Sequence, residues 1–144
     1  MNDKTVSETP QPVAIDQELL NGKGLTKGDP EEFETDAISQ EDGPAAFSFH
    51  NFHAGKIVVS VYESEPKKVR IEGSLYDEFI QILEGRLILT PDGGGEYEFK
   101  EGDSLVVPKG YKGYWHMPEK YRELIVIDDY SGDTDESAAM RDAS

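Results

Sequence analysis

From residue 46 onward the chain alternates apolar and polar positions in short runs. The runs span residues 56–64, 68–73, 76–85, 86–90, 95–99, 103–108, 113–117 and 122–129. Each is rich in β-branched and aromatic residues and stops at a Gly, Pro or Asp signal, the pattern of strands and turns. Glu84-Gly85, the Pro91 to Gly95 stretch, Glu101-Gly102-Asp103 and Pro108-Lys109-Gly110 are the best specified of these turns. Pro108 closes its strand because it has no amide to donate. No interval between runs has room for a crossover helix, so the pattern predicts an antiparallel sandwich or barrel. The segment FSFHNFHAG, residues 47–55, reads as an aromatic-rich loop just before the first strand.

The first 45 residues have a different texture. They are rich in Asp, Glu, Pro, Gly, Ser and Thr, and four prolines interrupt any long element. One helical signal stands out: Asp16 as a cap for Gln17-Glu18-Leu19-Leu20, ended by Asn21-Gly22. The pattern predicts three parts: an acidic, partly disordered arm over 1–45, a barrel over 46–130 and a polar tail over 131–144. An arm that instead docks Leu19, Leu20 and Phe33 on the barrel or a second subunit is the alternative, since those side chains are too few to fold alone.

Composition narrows the partners. The 144 residues carry 30 acidic and 14 basic side chains, a formal net charge of -16. Such a surface repels nucleic-acid phosphates and anionic headgroups, so neither nucleic acid nor membrane is expected as a partner. With no cysteine there is no disulfide, no thiolate metal site and no cysteine nucleophile. The N-terminal stretch has neither a basic start nor an apolar run, and a cytoplasmic location is the default expectation.

Several residues then fall into a known order. Glu78 is followed by six residues and Gly85; Gly102 is followed by five residues, Pro108 and Gly110. Together with Tyr76-Asp77-Glu78-Phe79, Leu83-Glu84-Gly85 and Trp115, this resembles the two cupin motifs over residues 47 to 128. It is similar above all to small RmlC-like cupins related to the ureidoglycine aminohydrolase cupin domain. The resemblance implies an all-β fold, a cupin-type antiparallel double-stranded β-helix (jelly-roll barrel) with an extended N-terminal arm. It also implies pairing into a homodimer. It would supply metal ligands at two His-x-His positions, Glu78 and a later His. Here the His positions fall at Glu72, Ser74 and Gly113. One remaining carboxylate makes no transition-metal site, so no metal and no cofactor are expected.

Strand parity then gives the expected pocket. If Glu78 points inward, as the matching Glu does in the family, so should Glu72, Ser74, Tyr76, Ile80 and Ile82. If Gly113 points inward it leaves space where a His would stand, and Trp115 and Met117 follow it. The ligand-binding set is therefore Glu72, Ser74, Tyr76, Glu78, Trp115 and Met117, with Glu78 and Tyr76 as the catalytic candidates. Acceptors against an aromatic wall suit a small molecule with donors: an amine, amide, ureide or sugar. Glu72 would add like-charge repulsion to Glu78 and raise its pKa. Arg70 shares the parity of Glu72, but a solvated strand-end position suits it better.

Three functions fit these residues. The first is a small-molecule-binding cupin, with ureidoglycine aminohydrolase-like acid/base chemistry as one form of it. The second is a non-catalytic ligand-sensing or association module. The third is a metal-dependent cupin using His50 or His53, whose spacing suits one turn of helix, with Glu78. His116 should face away from the pocket.

Overall fold

The computed structural model describes residues 9–35 and 37–128. The tail expected over 131–144 and the first eight residues of the arm lie outside that range. Among the described residues, eleven strands form two antiparallel sheets. One sheet has the order β1(Thr26–Lys27), β3(Phe47–Ala54), β4(Ile57–Ser64), β11(Tyr121–Asp128), β6(Glu78–Glu84), β9(Ser104–Val107). The other has the order β2(Ile38–Gln40), β5(Lys67–Glu72), β10(Lys112–Met117), β7(Arg86–Pro91), β8(Tyr97–Lys100). This is the expected jelly roll in its open form: two packed sheets that are not closed into a continuous barrel. No helix among the described residues is long and apolar enough to cross a membrane.

Alternation builds the core. Along β11, Tyr121, Glu123, Ile125 and Ile127 are buried while the residues between them are half-buried. Along β6, Glu78, Ile80 and Ile82 are buried, and Ile80 pairs across the sheet with Ile125. Val69 and Ile71 of β5, Leu87 and Leu89 of β7, and Trp115 and Met117 of β10 meet them from the other sheet. The β6–β7 turn needs its glycine. Gly85 has φ +83°, and a Cβ there would lie 2.2 Å from the Lys120 carbonyl oxygen.

Residues 47–54 correct the sequence reading. They are no loop but strand β3, paired along its length with β4 and interrupted by a register shift between Asn51 and His53. The i, i+3 spacing of His50 and His53 therefore belongs to a bulged strand and not to a turn of helix.

The arm is built into both sheets. Its short helix α1(Gln17–Leu20) is capped as the sequence predicts, with the Asp16 carboxylate accepting from the amides of Glu18 (2.8 Å) and Leu19 (3.2 Å). The Leu20 carbonyl then accepts from Arg122 Nε at 2.8 Å. Strand β1 extends the six-stranded sheet beside β3, and β2 extends the five-stranded sheet beside β5. Between them the 3₁₀ turn Pro30–Phe33 drops Phe33 against Phe47 and Tyr62, with ring centroids 5.3 and 6.1 Å apart.

Candidate functional site

A cavity of about 40 Å³ lies between the sheets where the arm crosses their edges. On the scale of one water per 10–15 Å³ this is room for about three waters. The sheets contribute Glu78, Trp115, Met117, Glu123 and Tyr62, and the arm contributes Phe33 and Ile38. Of the residues expected in the pocket, Glu78, Trp115 and Met117 meet here. Ser74 stands behind Glu78 and is bonded to it. Tyr76 is buried in the apolar core and does not line this cavity.

Glu72 corrects the parity argument. The extended run breaks at Gly73, so β5 and β6 do not share one alternation. On β5 the buried positions are Lys67, Val69 and Ile71, while Glu72 is exposed. Glu72 instead receives Arg70 Nε at 2.9 Å, and Arg70 also pairs with Asp92 at 2.8 Å, on the outer face. Arg70 thus bonds outside the pocket, as its strand-end position suggested. Gly113 corrects a second expectation. It leaves no space for a side chain, because a Cβ there would lie 2.4 Å from the Thr90 carbonyl oxygen and 2.7 Å from Pro91 Cα.

The like-charge neighbour of Glu78 is Glu123. It sits at an inward position of β11, directly opposite Tyr62 of β4. The signal for it lay in the alternation of Arg122 to Asp128, where an acid occupies the parity of Ile125 and Ile127. In the β6–β11 register Glu78 faces Ile127 and Glu123 faces Ile82. The two acids are thus four positions apart along the sheet, or about 13 Å at the backbone. Their side chains reach the same cavity from different levels, with Ile80 and Ile125 on the rung between.

Each acid has one hydroxyl neighbour. Ser74 Oγ lies 2.9 Å from Glu78 Oε2 and 3.0 Å from the Tyr76 carbonyl oxygen. One hydroxyl hydrogen cannot serve both. With Glu78 protonated, its acid hydrogen goes to Ser74 Oγ and Ser74 donates onward to Tyr76, so every group is satisfied. The protonation balance agrees. Burial pushes Glu78 up to about 7, against a smaller lowering by Ser74. Burial pushes Glu123 up to about 8, against the bond donated by the Tyr121 hydroxyl and with a further push from Glu78. The Tyr62 hydroxyl, also buried, has no hydrogen-bond partner within range among the described residues; Ser64, beside it, spends its hydrogen on the Glu65 carbonyl at 2.7 Å.

Behind Phe33 lies a buried ammonium. Lys67 Nζ sits 3.7 Å from the Phe33 ring centroid, 5.1 Å from that of Phe47 and 5.7 Å from that of Tyr62. Its polar neighbour is Gln40 Oε1 at 3.4 Å, and burial lowers its pKa to about 8. A lysine at a strand start carried no signal of this in the sequence.

The donor set does not fit a metal. No group of three or more His, Asp or Glu among the described residues is arranged to hold one. His50 and His53 lie on β3 and do not line the cavity; His50 packs edge-on against Phe52, with ring centroids 4.9 Å apart. His116 is half-buried on the side of β10 opposite Trp115 and Met117.

The fold is that of a small cupin. More particularly, residues 53–123 match the family of EutQ-like cupin domains. Among solved structures, the chain is similar to the Clostridium difficile EutQ protein (17% identity, 67% of this chain and 78% of that chain, TM-score 0.56). It is also similar to the polyketide cyclase RemF from Streptomyces resistomycificus (14% identity, 82% and 80%, TM-score 0.57). A DUF861-family protein from Pseudomonas syringae pv. tomato shares 19% identity over 72% of this chain and 43% of that chain, with TM-score 0.58. At these identities the likeness is one of fold. No curated protein matches the sequence.

Proposed function

We propose that the cavity under the arm is a small-molecule site in which Glu78 and Glu123 do acid/base work. The observation that carries this reading is that two buried carboxyls from different strands face one cavity with no cation of the described residues in ion-pairing range. All ion pairs found among the described residues lie elsewhere. Leaving two acids in an apolar interior costs free energy that apolar side chains of similar size would not. Groups that titrate close to neutral pH are suited to giving and taking protons. The apolar and aromatic walls would orient a ligand that bears donors, such as an amine, amide, ureide or sugar hydroxyl. Trp115, the single tryptophan, lines the cavity and supplies the assay. A metabolite screen read by Trp115 fluorescence should give a saturable response that Glu78→Gln or Glu123→Gln weakens without unfolding the chain. Responses unchanged in both variants would sink the reading.

A ligand-sensing role is the second reading, and the arm favours it. Phe33 and Ile38 form walls of the cavity, so a ligand that fills it bears directly on the arm. A ligand that slows proteolysis of the arm without being turned over supports sensing over catalysis.

A further inference from the structure

We infer that the ligand of this cavity carries a positively charged nitrogen, and specifically a primary ammonium on a short aliphatic chain. This rests on the small-molecule reading above and narrows it to one chemical class. Glu78 and Glu123 supply up to two negative charges, and no Lys, Arg or His is among the lining residues. A phosphate or carboxylate would therefore meet only repulsion and unreturned desolvation.

The rest of the lining fits a cation. Phe33, Tyr62 and Trp115 offer aromatic rings, which attract a cation to their faces. The same aromatic rings already hold one ammonium: Lys67 Nζ lies over Phe33 and within 6 Å of Phe47 and Tyr62. The buried Tyr62 hydroxyl, opposite Glu123 and without a hydrogen-bond partner among the described residues, is an acceptor that an N–H donor would satisfy. An ammonium has three such hydrogens, enough for a carboxylate, a hydroxyl and one further acceptor. The apolar side chains of Ile38, Val69 and Ile125 complete the lining and suit an alkyl stem. The space is small, so the stem is short unless the arm yields.

Titration follows from the same geometry. Bound ammonium favours the ionised carboxylates, so binding expels protons from Glu78 and Glu123 near neutral pH. The groups facing them are Ser74, Tyr62 and Tyr121; Lys67 stands across Phe33, and Lys67→Met removes its charge as a variable.

The test compares three probes of one size: propylammonium chloride, propan-1-ol and sodium propionate, at fixed ionic strength, by Trp115 fluorescence and calorimetry. Propylammonium is expected to bind saturably, about tenfold or more tightly than propan-1-ol, as the loss of a charged hydrogen bond implies. Propionate is expected not to bind. Affinity should rise between pH 6 and 8.5, with proton release seen as a buffer-dependent heat, in the wild type and in Lys67→Met alike. Glu78→Gln and Glu123→Gln should each weaken propylammonium about tenfold while leaving propan-1-ol unchanged. Equal binding of propan-1-ol would overturn the cationic class yet leave the pocket reading in place. Propylammonium binding that survives both substitutions would reveal attraction to the acidic surface and overturn the inference. Silence from all three probes would overturn it too; the metabolite screen then judges the pocket reading separately.

Discussion

Two gaps in the sandwich differ in kind. One is the cavity of about 40 Å³ under the arm, with Glu78 and Glu123 among its walls. The other is a groove of about 260 Å³ between the unpaired edges of β8 and β9, lined by Leu89, Tyr97, Phe99, Leu105, Val106 and Tyr111 among others. The larger gap contains no carboxyl and no base. Space alone therefore does not mark the site; convergent polar groups in a dry setting do. The arm explains the contrast. It adds strands to β3 and β5 at one side, where Glu78 and Glu123 are buried. Among the described residues β8 and β9 are joined by the Lys100–Asp103 turn but share no ladder, and that side is left with simple apolar surface.

The largest expected effect is on the pH dependence of stability. Glu78 and Glu123 hold protons more tightly folded than unfolded. From the ordinary carboxylate range near 4.5 up to about 7 for Glu78, and about 8 for Glu123, the folded chain carries the extra protons. Stability therefore falls as pH rises across that window, by about 3 kcal/mol for Glu78 and about 5 kcal/mol for Glu123. Lys67 acts in the opposite sense. Its pKa is lowered from 10.5 to about 8, so the unfolded chain holds more protons between those values and stability recovers with rising pH. Urea denaturation from pH 4.5 to 10.5 should show a minimum near pH 8. Glu123→Gln should flatten the acid limb, and Lys67→Met the alkaline limb. A profile that is flat in the wild type would mean that the carboxyls under the arm are solvated, and the contrast between the gaps would collapse.

A somewhat smaller loss is expected from trying to restore the family's metal site. Gly113→His pushes a side chain into the Thr90 carbonyl and Pro91. Overpacking of this kind should cost about 2–3 kcal/mol, with no gain in zinc or nickel retention after dialysis. A stable, metal-loaded variant would show that the sheet can give way at that point.

The strands were legible because each has a two-residue period and a turn signal at its end. Eight runs were read from Lys56 onward, and eight strands, β4 to β11, overlap them in order. Strand β3 was hidden because Phe47 to Ala54 is aromatic and polar without clean alternation, and a bulge falls inside it. The edge strands β1 and β2 were hidden because they are two and three residues long. In the site, Glu78, Trp115 and Met117 followed from motif and parity. Glu72 failed because parity was carried across the Gly73 break. The alternation of β11 marks Glu123 as inward, but its meeting with Glu78 and Tyr62 depends on pairing across β4, β11 and β6, a tertiary fact that local pattern does not contain.

Effects on local access come next. Phe33→Ala removes one wall of the arm-side cavity, and Phe99→Ala removes a wall of the open groove. Both rings are half-buried, so each change should cost about 1–2 kcal/mol. The difference should show in Trp115. Acrylamide should quench it several-fold better in Phe33→Ala and no better in Phe99→Ala. Phe33→Ala should also raise the pKa of Lys67 by returning its ammonium to water. Equal quenching in the two variants would mean that Trp115 senses both gaps, and the cavity would not be sealed by the arm.

The smallest expected effect on stability concerns the outer face beside the open groove. In register, Val59, Val126, Phe79 and Val106 form one row across the six-stranded sheet, and it faces away from the core. Phe79 is 42% and Val106 61% exposed. Val106 also lines the groove, so the row and the groove make one continuous apolar surface. Contiguous apolar patches of this kind are interaction surfaces more often than bare ones. We propose that a second copy of the chain covers it, in keeping with the homodimer expected for a small cupin. Light scattering at micromolar concentration should then give twice the 16.0 kDa chain mass. The double variant Phe79→Lys, Val106→Lys should give a single chain mass. Both positions already meet solvent in one chain, so thermal unfolding of that chain should shift by no more than about 0.5 kcal/mol. The Trp115 response to ligand should survive, because neither position lines the arm-side cavity. A wild-type monomer, or a dimer indifferent to both lysines, would refute the assignment and leave the apolar side of the sandwich without a role.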